Sequence, residues 1–121
     1  MSRRQIITGV AAFAFGACAV TGAFAQETVK IGFILPMTGQ QQSTGKQISA
    51  AAKLFMQQNG DTVAGKKIEL IIKDDGAVPD NSKRLAQELI VNDKVAFLAG
   101  FGVTPAALAV APIATDRKSV V

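Results

Sequence analysis

The sequence predicts an α/β fold in which residues 26–121 form a doubly wound parallel sheet. Three β-rich segments alternate with segments of helical periodicity, and a loop containing glycine or proline follows each β-rich segment. Strands that alternate with helices form a parallel sheet covered on both faces, with right-handed connections. Such a sheet binds ligands beyond the carboxyl ends of its strands, so we expect the function to lie in the loops at that edge.

The first βα unit begins with the strand Val29–Leu35, which Pro36 ends. A polar loop over residues 37–45 precedes a helix that is terminated by Asn59 and Gly60. Apolar residues at helical spacing predict the face of this helix that packs on the sheet: Ile48, Ala51, Ala52 and Phe55.

The second unit begins with the strand Lys67–Lys73, which a turn at residues 74–76 follows. Pro79 opens the next helix, because proline suits the first helical turn. The apolar face predicted for this second helix comprises Leu85, Ala86, Leu89 and Ile90.

The third unit begins with the buried strand Val95–Ala99. Thr104 is a favourable N-cap residue and Pro105 suits the first helical position, so a third helix is expected to run to about Asp116. Residues 120–121 then begin a fourth predicted strand.

Residues 1–25 have the three-part layout of a secretory signal peptide. Arg3 and Arg4 precede the uncharged apolar run Ile6–Val20, and the A-x-A sequence at 23–25 predicts cleavage after that point. The apolar run is short for a transmembrane helix. The sequence therefore predicts export to the periplasm, by the Sec route or, given the paired arginines, by the twin-arginine route.

The composition of residues 26–121 argues against several classes of function. Without the two leader arginines, 11 basic residues face 9 acidic ones, and no basic cluster with interleaved aromatic residues predicts a nucleic-acid partner. The chain has no histidine, and its single cysteine lies in the leader. Since acid–base catalysis most often uses histidine and zinc sites need cysteine or histidine, we expect neither an enzyme nor a metal or cofactor site.

Two loops contain motifs that only partly match known sites. The segment Gly39–Gln47 has five residues between its glycines and no hydroxyl after Lys46, so it does not fit a phosphate-binding P-loop. Asp74 and Asp75 could suggest a metal site or an acid–base pair. Adjacent side chains rarely converge on one point, and capping of the following helix by Asp75 or Asp80 is the preferred interpretation.

The third loop offers a site for an anion. Gly100 and Gly102 begin a dinucleotide-binding fingerprint, but Pro105 stands where its third glycine belongs. The N-terminus of the following helix has unpaired N–H groups that can hold a carboxylate, and Gly102 lets a ligand approach the backbone. Thr104 either contributes its hydroxyl to this site or only caps its own helix.

Four segments in the correct order resemble the N-terminal part of the periplasmic leucine/isoleucine/valine-binding receptors, a type I solute-binding family of ABC importers. They are Lys30–Gly39 with the alanine-rich helix start at 45–52, Lys66–Leu70 with its Asp74-Asp75 turn, Pro79–Leu89, and Gly100–Pro112. The resemblance covers nearly all of residues 26–121 and implies a partial N-terminal lobe, about the first third of a two-lobed receptor.

This resemblance implies a receptor for a branched-chain amino acid or a related amino acid or amide, which it delivers to an ABC permease in the inner membrane. In the family, a hydroxyl residue and main-chain groups of the third loop hold the ligand carboxylate, and Thr104 and Gly102 occupy those positions. Thr44 and Ser43 stand where a residue late in the first loop faces the cleft. Two alternatives remain open: a ligand-sensing regulatory domain of the same fold, and a nucleotide-using enzyme.

Overall fold

The computed structural model describes residues 26–116. The predicted signal peptide and the predicted fourth strand at 120–121 lie outside these residues. Within them, no helix combines the length and the hydropathy that crossing a bilayer requires. The elements in chain order are β1 Thr28–Leu35, α1 Gln42–Asn59, β2 Thr62–Val63, β3 Lys66–Asp74, α2 Pro79–Val91, β4 Phe97–Gly100 and α3 Thr104–Asp116.

The described strands form one sheet in the order β2-β3-β1-β4. The central strand β1 pairs in parallel with β3 on one side and with β4 on the other. Leu35 lies opposite Asp74, and Ile34 lies opposite Gly100, so the three parallel strands end side by side. The predicted α/β fold with a parallel-dominated sheet is confirmed.

Strand β2 was not predicted from the sequence, and it makes the sheet mixed rather than wholly parallel. Its two residues pair antiparallel with the start of β3. Ala64 and Gly65 connect the two strands, with φ of 50° and 79°. Positive φ at both central residues is the geometry of the tight hairpin turn whose twist matches that of the strands.

One face of the sheet is sealed by α2 and α3. Ile34 and Leu98 are almost fully buried on this face, and Gly32 lies so close to α2 that an added Cβ would stand 2.9 Å from a Leu89 methyl group. The helices bury the apolar face that the sequence predicts for α2, together with small residues of α3. The buried residues that α2 and α3 contribute to this core are Leu85, Ala86, Leu89, Val110 and Ala114.

The other face is covered only in part. Helix α1 lies over it, yet Phe55 is 65% exposed, and Ala51 is also exposed. An apolar groove of about 610 Å³ remains between α1 and the sheet. Its lining includes Ile31, Phe33, Met56, Leu70 and Phe97. Of the four apolar residues predicted on one face of α1, Ile48 and Ala52 are half-buried, whereas Ala51 and Phe55 are exposed, although Phe55 lines the groove.

Candidate ligand-binding site

The candidate site is the edge of the sheet at which β1, β3 and β4 end. Three short loops leave this edge: residues 36–41 after β1, 75–78 after β3 and 101–103 after β4. We call these loops together the loop edge. Because neighbouring parallel strands end at one level, side chains and backbone groups from distant parts of the sequence meet here.

Pro36 joins the first and third loops. It is buried, and it lies between two glycines, Gly45 in the first turn of α1 and Gly102 in the third loop. A Cβ at Gly102 would stand 2.5 Å from Cγ of the proline ring, and a Cβ at Gly45 would collide with the proline carbonyl. The two glycines therefore allow both loops to close on one buried proline.

The contact with Pro36 gives a different physical reason for glycine at position 102. The sequence suggested that Gly102 leaves space for a ligand, but in the structure the proline ring fills the space beside its Cα. The backbone N–H of Gly102 makes no hydrogen bond among the described residues. Ligand binding by Gly102 remains a prediction, and it now concerns this N–H group.

Helix α1 begins earlier than the sequence indicated. The polar loop was expected to reach residue 45, but the helix starts at Gln42, so Ser43 and Thr44 lie in its first turn. The N–H of Gln42 donates to the carbonyl of Gly39 at 3.2 Å, which closes the loop tightly. Ser43 is exposed and Thr44 is half-buried at this end of the helix.

Helix α3 also begins one residue earlier than expected. The carbonyl of Val103 accepts from the N–H groups of Ala106 and Ala107 at 3.1 and 3.4 Å, so Val103 occupies the N-cap position and Thr104 is the first helical residue. Thr104 is exposed, and its hydroxyl makes no hydrogen bond to any described residue. The expectation that Thr104 is the N-cap is therefore wrong by one position.

Three consecutive backbone N–H groups have no acceptor in the described part of the chain where the third loop enters α3. Among residues 26–116, the N–H groups of Gly102, Val103 and Thr104 have no acceptor. Unpaired N–H groups at a helix N-terminus carry partial positive charge and bind anions. We call this row of groups the α3 amide row. The arrangement suits a carboxylate and requires no cationic side chain.

The backbone just before the α3 amide row is strained. Phe101 has φ of 58°, in the left-handed region, where a non-glycine residue is uncommon. Its N–H donates to the carbonyl of Ile34 at 2.7 Å, and its ring packs against the apolar core between the sheet and helices α2 and α3. These contacts hold the strained conformation, which fixes the direction in which the chain enters α3.

Asp74 connects the first and second loops. Its Oδ1 accepts from the backbone N–H groups of Met37, Thr38 and Gly76 at 2.8, 3.3 and 2.9 Å, and its Oδ2 accepts from the Thr38 hydroxyl at 2.8 Å. Desolvation, the largest single influence, raises the pKa of this carboxyl group. The hydrogen bonds together outweigh it and hold the pKa below its usual value.

Asp75 points away from Asp74 and into the protein. It is 1% exposed, its Oδ2 accepts from the Ser82 hydroxyl at 2.6 Å, and its Oδ1 accepts from the N–H of Ala77 at 2.9 Å. It thus binds the first turns of α2 through Ser82 rather than capping the helix. The described residues include no group of three side chains placed to hold a metal ion.

The sequence did not identify Pro36 and Asp74 as the residues whose contacts hold the loops of the site together. Both contacts join loops that are distant in sequence, so they depend on the strand order. The one available signal was position: Pro36 and Asp74 stand at the ends of two predicted strands. The residues that were predicted, Ser43, Thr44, Gly102 and Thr104, all lie at the loop edge or in the helical turns that follow it.

Comparison with known proteins agrees with this architecture. The family model for periplasmic binding proteins matches residues 28–121. The Leu/Ile/Val-binding protein homolog 6 of Brucella abortus is 40% identical over 112 residues, 92% of this chain and 28% of that protein. A solute binding protein of an ABC transporter from Rhodopseudomonas palustris BisB5, solved with 3,4-dihydroxy benzoic acid, is 68% identical with a TM-score of 0.75. A similar protein from strain HaA2, solved with p-hydroxybenzoic acid, is 40% identical with a TM-score of 0.73.

The chain spans little more than a quarter of the length of these relatives. The BisB5 alignment covers 77% of this chain and 26% of that one, and the HaA2 alignment covers 78% and 26%. The family match includes every described strand and helix, and hence the whole loop edge. The chain belongs to the periplasmic binding protein family.

Proposed function

We propose that this chain provides one wall of the ligand cleft in a solute-binding protein that delivers an aromatic carboxylate of the hydroxybenzoate class to an ABC importer. The α3 amide row is the observation that supports this proposal most directly, since it offers a carboxylate three N–H groups that have no acceptor within residues 26–116. The 68% identity to a protein solved with 3,4-dihydroxy benzoic acid supports the aromatic part of the ligand.

In this proposal, the ligand carboxylate accepts from the α3 amide row, and the Thr104 hydroxyl adds a side-chain donor. Hydrogen bonds to a charged acceptor are roughly twice as strong as neutral ones. Ser43 and Thr44, in the first turn of α1, form a polar rim near the same edge. The remaining contacts to the ring and its hydroxyl groups then come from the other lobe of the receptor.

The acidic residues of the loop edge favour a ligand without an ammonium group. An amino acid needs an acceptor for its ammonium, and a buried charge needs a partner. Asp74 already accepts four hydrogen bonds, and Asp75 is buried against Ser82 and Ala77. A benzoate makes no such demand, because its only charge is the carboxylate.

A branched-chain amino acid, or a related amino acid or amide, is the second candidate. The resemblance to Leu/Ile/Val-binding receptors predicted it, and the 40% identity to a curated protein of that name favours it. A hydroxybenzoate and an amino acid both place a carboxylate on the α3 amide row and differ in what lies beyond it, whereas an amide places its neutral carbonyl there. The periplasmic location, the signal peptide and the inner-membrane permease belong to the proposal for either ligand.

The experiment uses a hybrid receptor in which residues 28–116 replace the matching segment of the BisB5 protein. Isothermal titration with 3,4-dihydroxybenzoate, 4-hydroxybenzoate, leucine and valine tests whether this wall of the cleft accepts a hydroxybenzoate when the BisB5 protein supplies the other lobe. We expect saturable binding of the hydroxybenzoates and none of the amino acids. Tight binding of leucine with no binding of either benzoate contradicts the aromatic proposal and supports the second candidate.

The role of Thr104 is tested in the same hybrid receptor. Thr104→Ala removes the hydroxyl and is expected to weaken carboxylate ligands by about 1–3 kcal/mol if a buried partner is left unpaired. Thr115→Ala is the matched control, because this threonine lies at the other end of α3 and donates to the Ala111 carbonyl at 2.9 Å. Equal affinities for the two variants would remove Thr104 from the site.

A further inference from the structure

The Asp74 carboxylate makes more hydrogen bonds at the loop edge than any other described side chain. Both of its oxygens are used, Oδ1 by three backbone N–H groups and Oδ2 by the Thr38 hydroxyl. Two of the N–H donors, Met37 and Thr38, belong to the first loop, and the third, Gly76, belongs to the second. The carboxylate therefore joins the two loops, although Asp74 is 37 and 36 residues away in sequence from Met37 and Thr38.

The residues that Asp74 holds lie directly beside Pro36. Met37 and Thr38 follow this proline, and Pro36 in turn contacts Gly45 of α1 and Gly102 of the third loop. Pro36 is thus held directly by α1 and the third loop, and through Met37 and Thr38 by Asp74. A carboxylate that restrains the next two residues also restrains how the first turn of α1 and the α3 amide row are spaced.

We propose that Asp74 is a positioning residue for the ligand site: it holds the first loop so that the donors on α1 and α3 face the ligand at the correct spacing, and it does not touch the ligand. The proposal rests on the proposed function above. Asp74 acts through Met37, Thr38 and Pro36. A loop that is already ordered loses less entropy when the ligand binds, so the restraint raises affinity.

The hydrogen bonds distinguish this role from a direct charge contact. If Asp74 held a ligand ammonium, its negative charge would be essential. If it only positions the loop, an asparagine suffices: Oδ1 of asparagine still accepts from the three N–H groups, and its Nδ2 can donate to the Thr38 hydroxyl oxygen. Asp74→Asn therefore preserves the geometry without the charge, and Asp74→Ala removes both.

The experiment measures both affinity and loop order in the hybrid receptor. Titration with 3,4-dihydroxybenzoate and with leucine is carried out on the unmodified hybrid and on Asp74→Asn, Asp74→Ala and Thr38→Val. Asp80→Ala is the matched control, since Asp80 is an exposed acidic residue in the first turn of α2 and makes no side-chain hydrogen bond to the described residues of the first loop. Hydrogen exchange of the peptide containing Met37 and Thr38 is followed without ligand, together with the thermal midpoint.

For positioning, we expect Asp74→Ala to weaken the bound ligand about tenfold and Asp74→Asn to stay within about threefold, where tenfold corresponds to about 1.4 kcal/mol. The Met37 and Thr38 amides exchange faster in Asp74→Ala than in Asp74→Asn. Thr38→Val loses only the hydroxyl bond, so its affinity and its exchange rates should lie between those of the two Asp74 variants. It replaces Asp74→Ala in the comparison if the alanine variant does not fold. Asp80→Ala should have the same affinity and the same exchange rates as the unmodified hybrid.

Three results would overturn the proposal. Full affinity in Asp74→Ala would show that the restraint is unimportant. Equal weakening in Asp74→Asn and Asp74→Ala, with normal exchange in both, would show that the charge itself meets the ligand. Unchanged exchange in Asp74→Ala would show that the loop is not held by this carboxylate. If the unmodified hybrid binds neither ligand, the proposed function fails, and the exchange measurement alone decides whether Asp74 orders the loop.

Discussion

Replacing Gly45 by alanine should destabilise this protein, although the same change stabilises most helices. Gly45 lies in the first turn of α1, and in an exposed helix alanine is more stable than glycine by about 1 kcal/mol. Here a Cβ would collide with the carbonyl of Pro36, which is itself buried and held on its other side by Gly102. Because the obstacle is backbone held on two sides, we assign it an overpacking cost of about 2–3 kcal/mol, the upper part of the usual range.

The net expectation for Gly45→Ala is a loss of about 1–2 kcal/mol, which lowers a thermal midpoint by roughly 2–8 °C in a domain of 150–250 residues. Circular dichroism of the hybrid receptor measures this midpoint. Gln47→Ala is the control, because it adds alanine two residues later at an exposed position of the same helix and should change stability by less than about 0.5 kcal/mol. A higher midpoint for Gly45→Ala than for the unmodified hybrid would refute the packing of Pro36 described above.

Three further predictions concern acid stability, nucleotides and export. The pKa of Asp74 is lower in the folded than in the unfolded protein, so its contribution to the free energy of unfolding is complete above about pH 4. This contribution is lost as pH falls through the folded pKa, and acid unfolding of Asp74→Asn should lack that loss. A fluorescent ATP analogue with magnesium should not bind, because Ser43–Gly45 form a helical turn rather than a phosphate-binding loop; saturable binding abolished by Lys46→Ala would contradict this. N-terminal sequencing of the periplasmic form should begin at Gln26, whereas an acylated Cys18 would indicate a lipoprotein.

The order of strands and helices could be predicted because each of the three βα units carries its own local signal. Pro36 ends β1, Pro79 opens α2, and the apolar spacing in α2 matches the face that is buried. Strand β2 could not be predicted in the same way, because two residues are too few to show an alternating pattern. Its only sequence signal is the Ala64-Gly65 turn that precedes Lys66 and Lys67 at the start of β3.

The position of the site could be predicted from the sequence, but the contacts that shape it could not. Glycines and hydroxyl residues after the predicted strands led to Ser43, Thr44, Gly102 and Thr104, because parallel strands bring their following loops to one edge. The reasons for these residues depend on tertiary contacts that local sequence does not encode. Gly102 is glycine where the ring of Pro36 approaches, and the start of α3 is set by the carbonyl of Val103.

The uneven covering of the two sheet faces implies that α1 unfolds locally before α2 and α3. Its buried residues, Gly45 and Ser49, lie near its N-terminus, whereas Leu54 and Phe55 farther along are 52% and 65% exposed. Segments with few buried apolar contacts open at lower free energy than the core. From the burial of the described residues, we therefore expect fraying of α1 to start near Asn59 and to stop at the contact with Pro36, so that the turn that carries Ser43 and Thr44 stays folded when the far end of the helix opens.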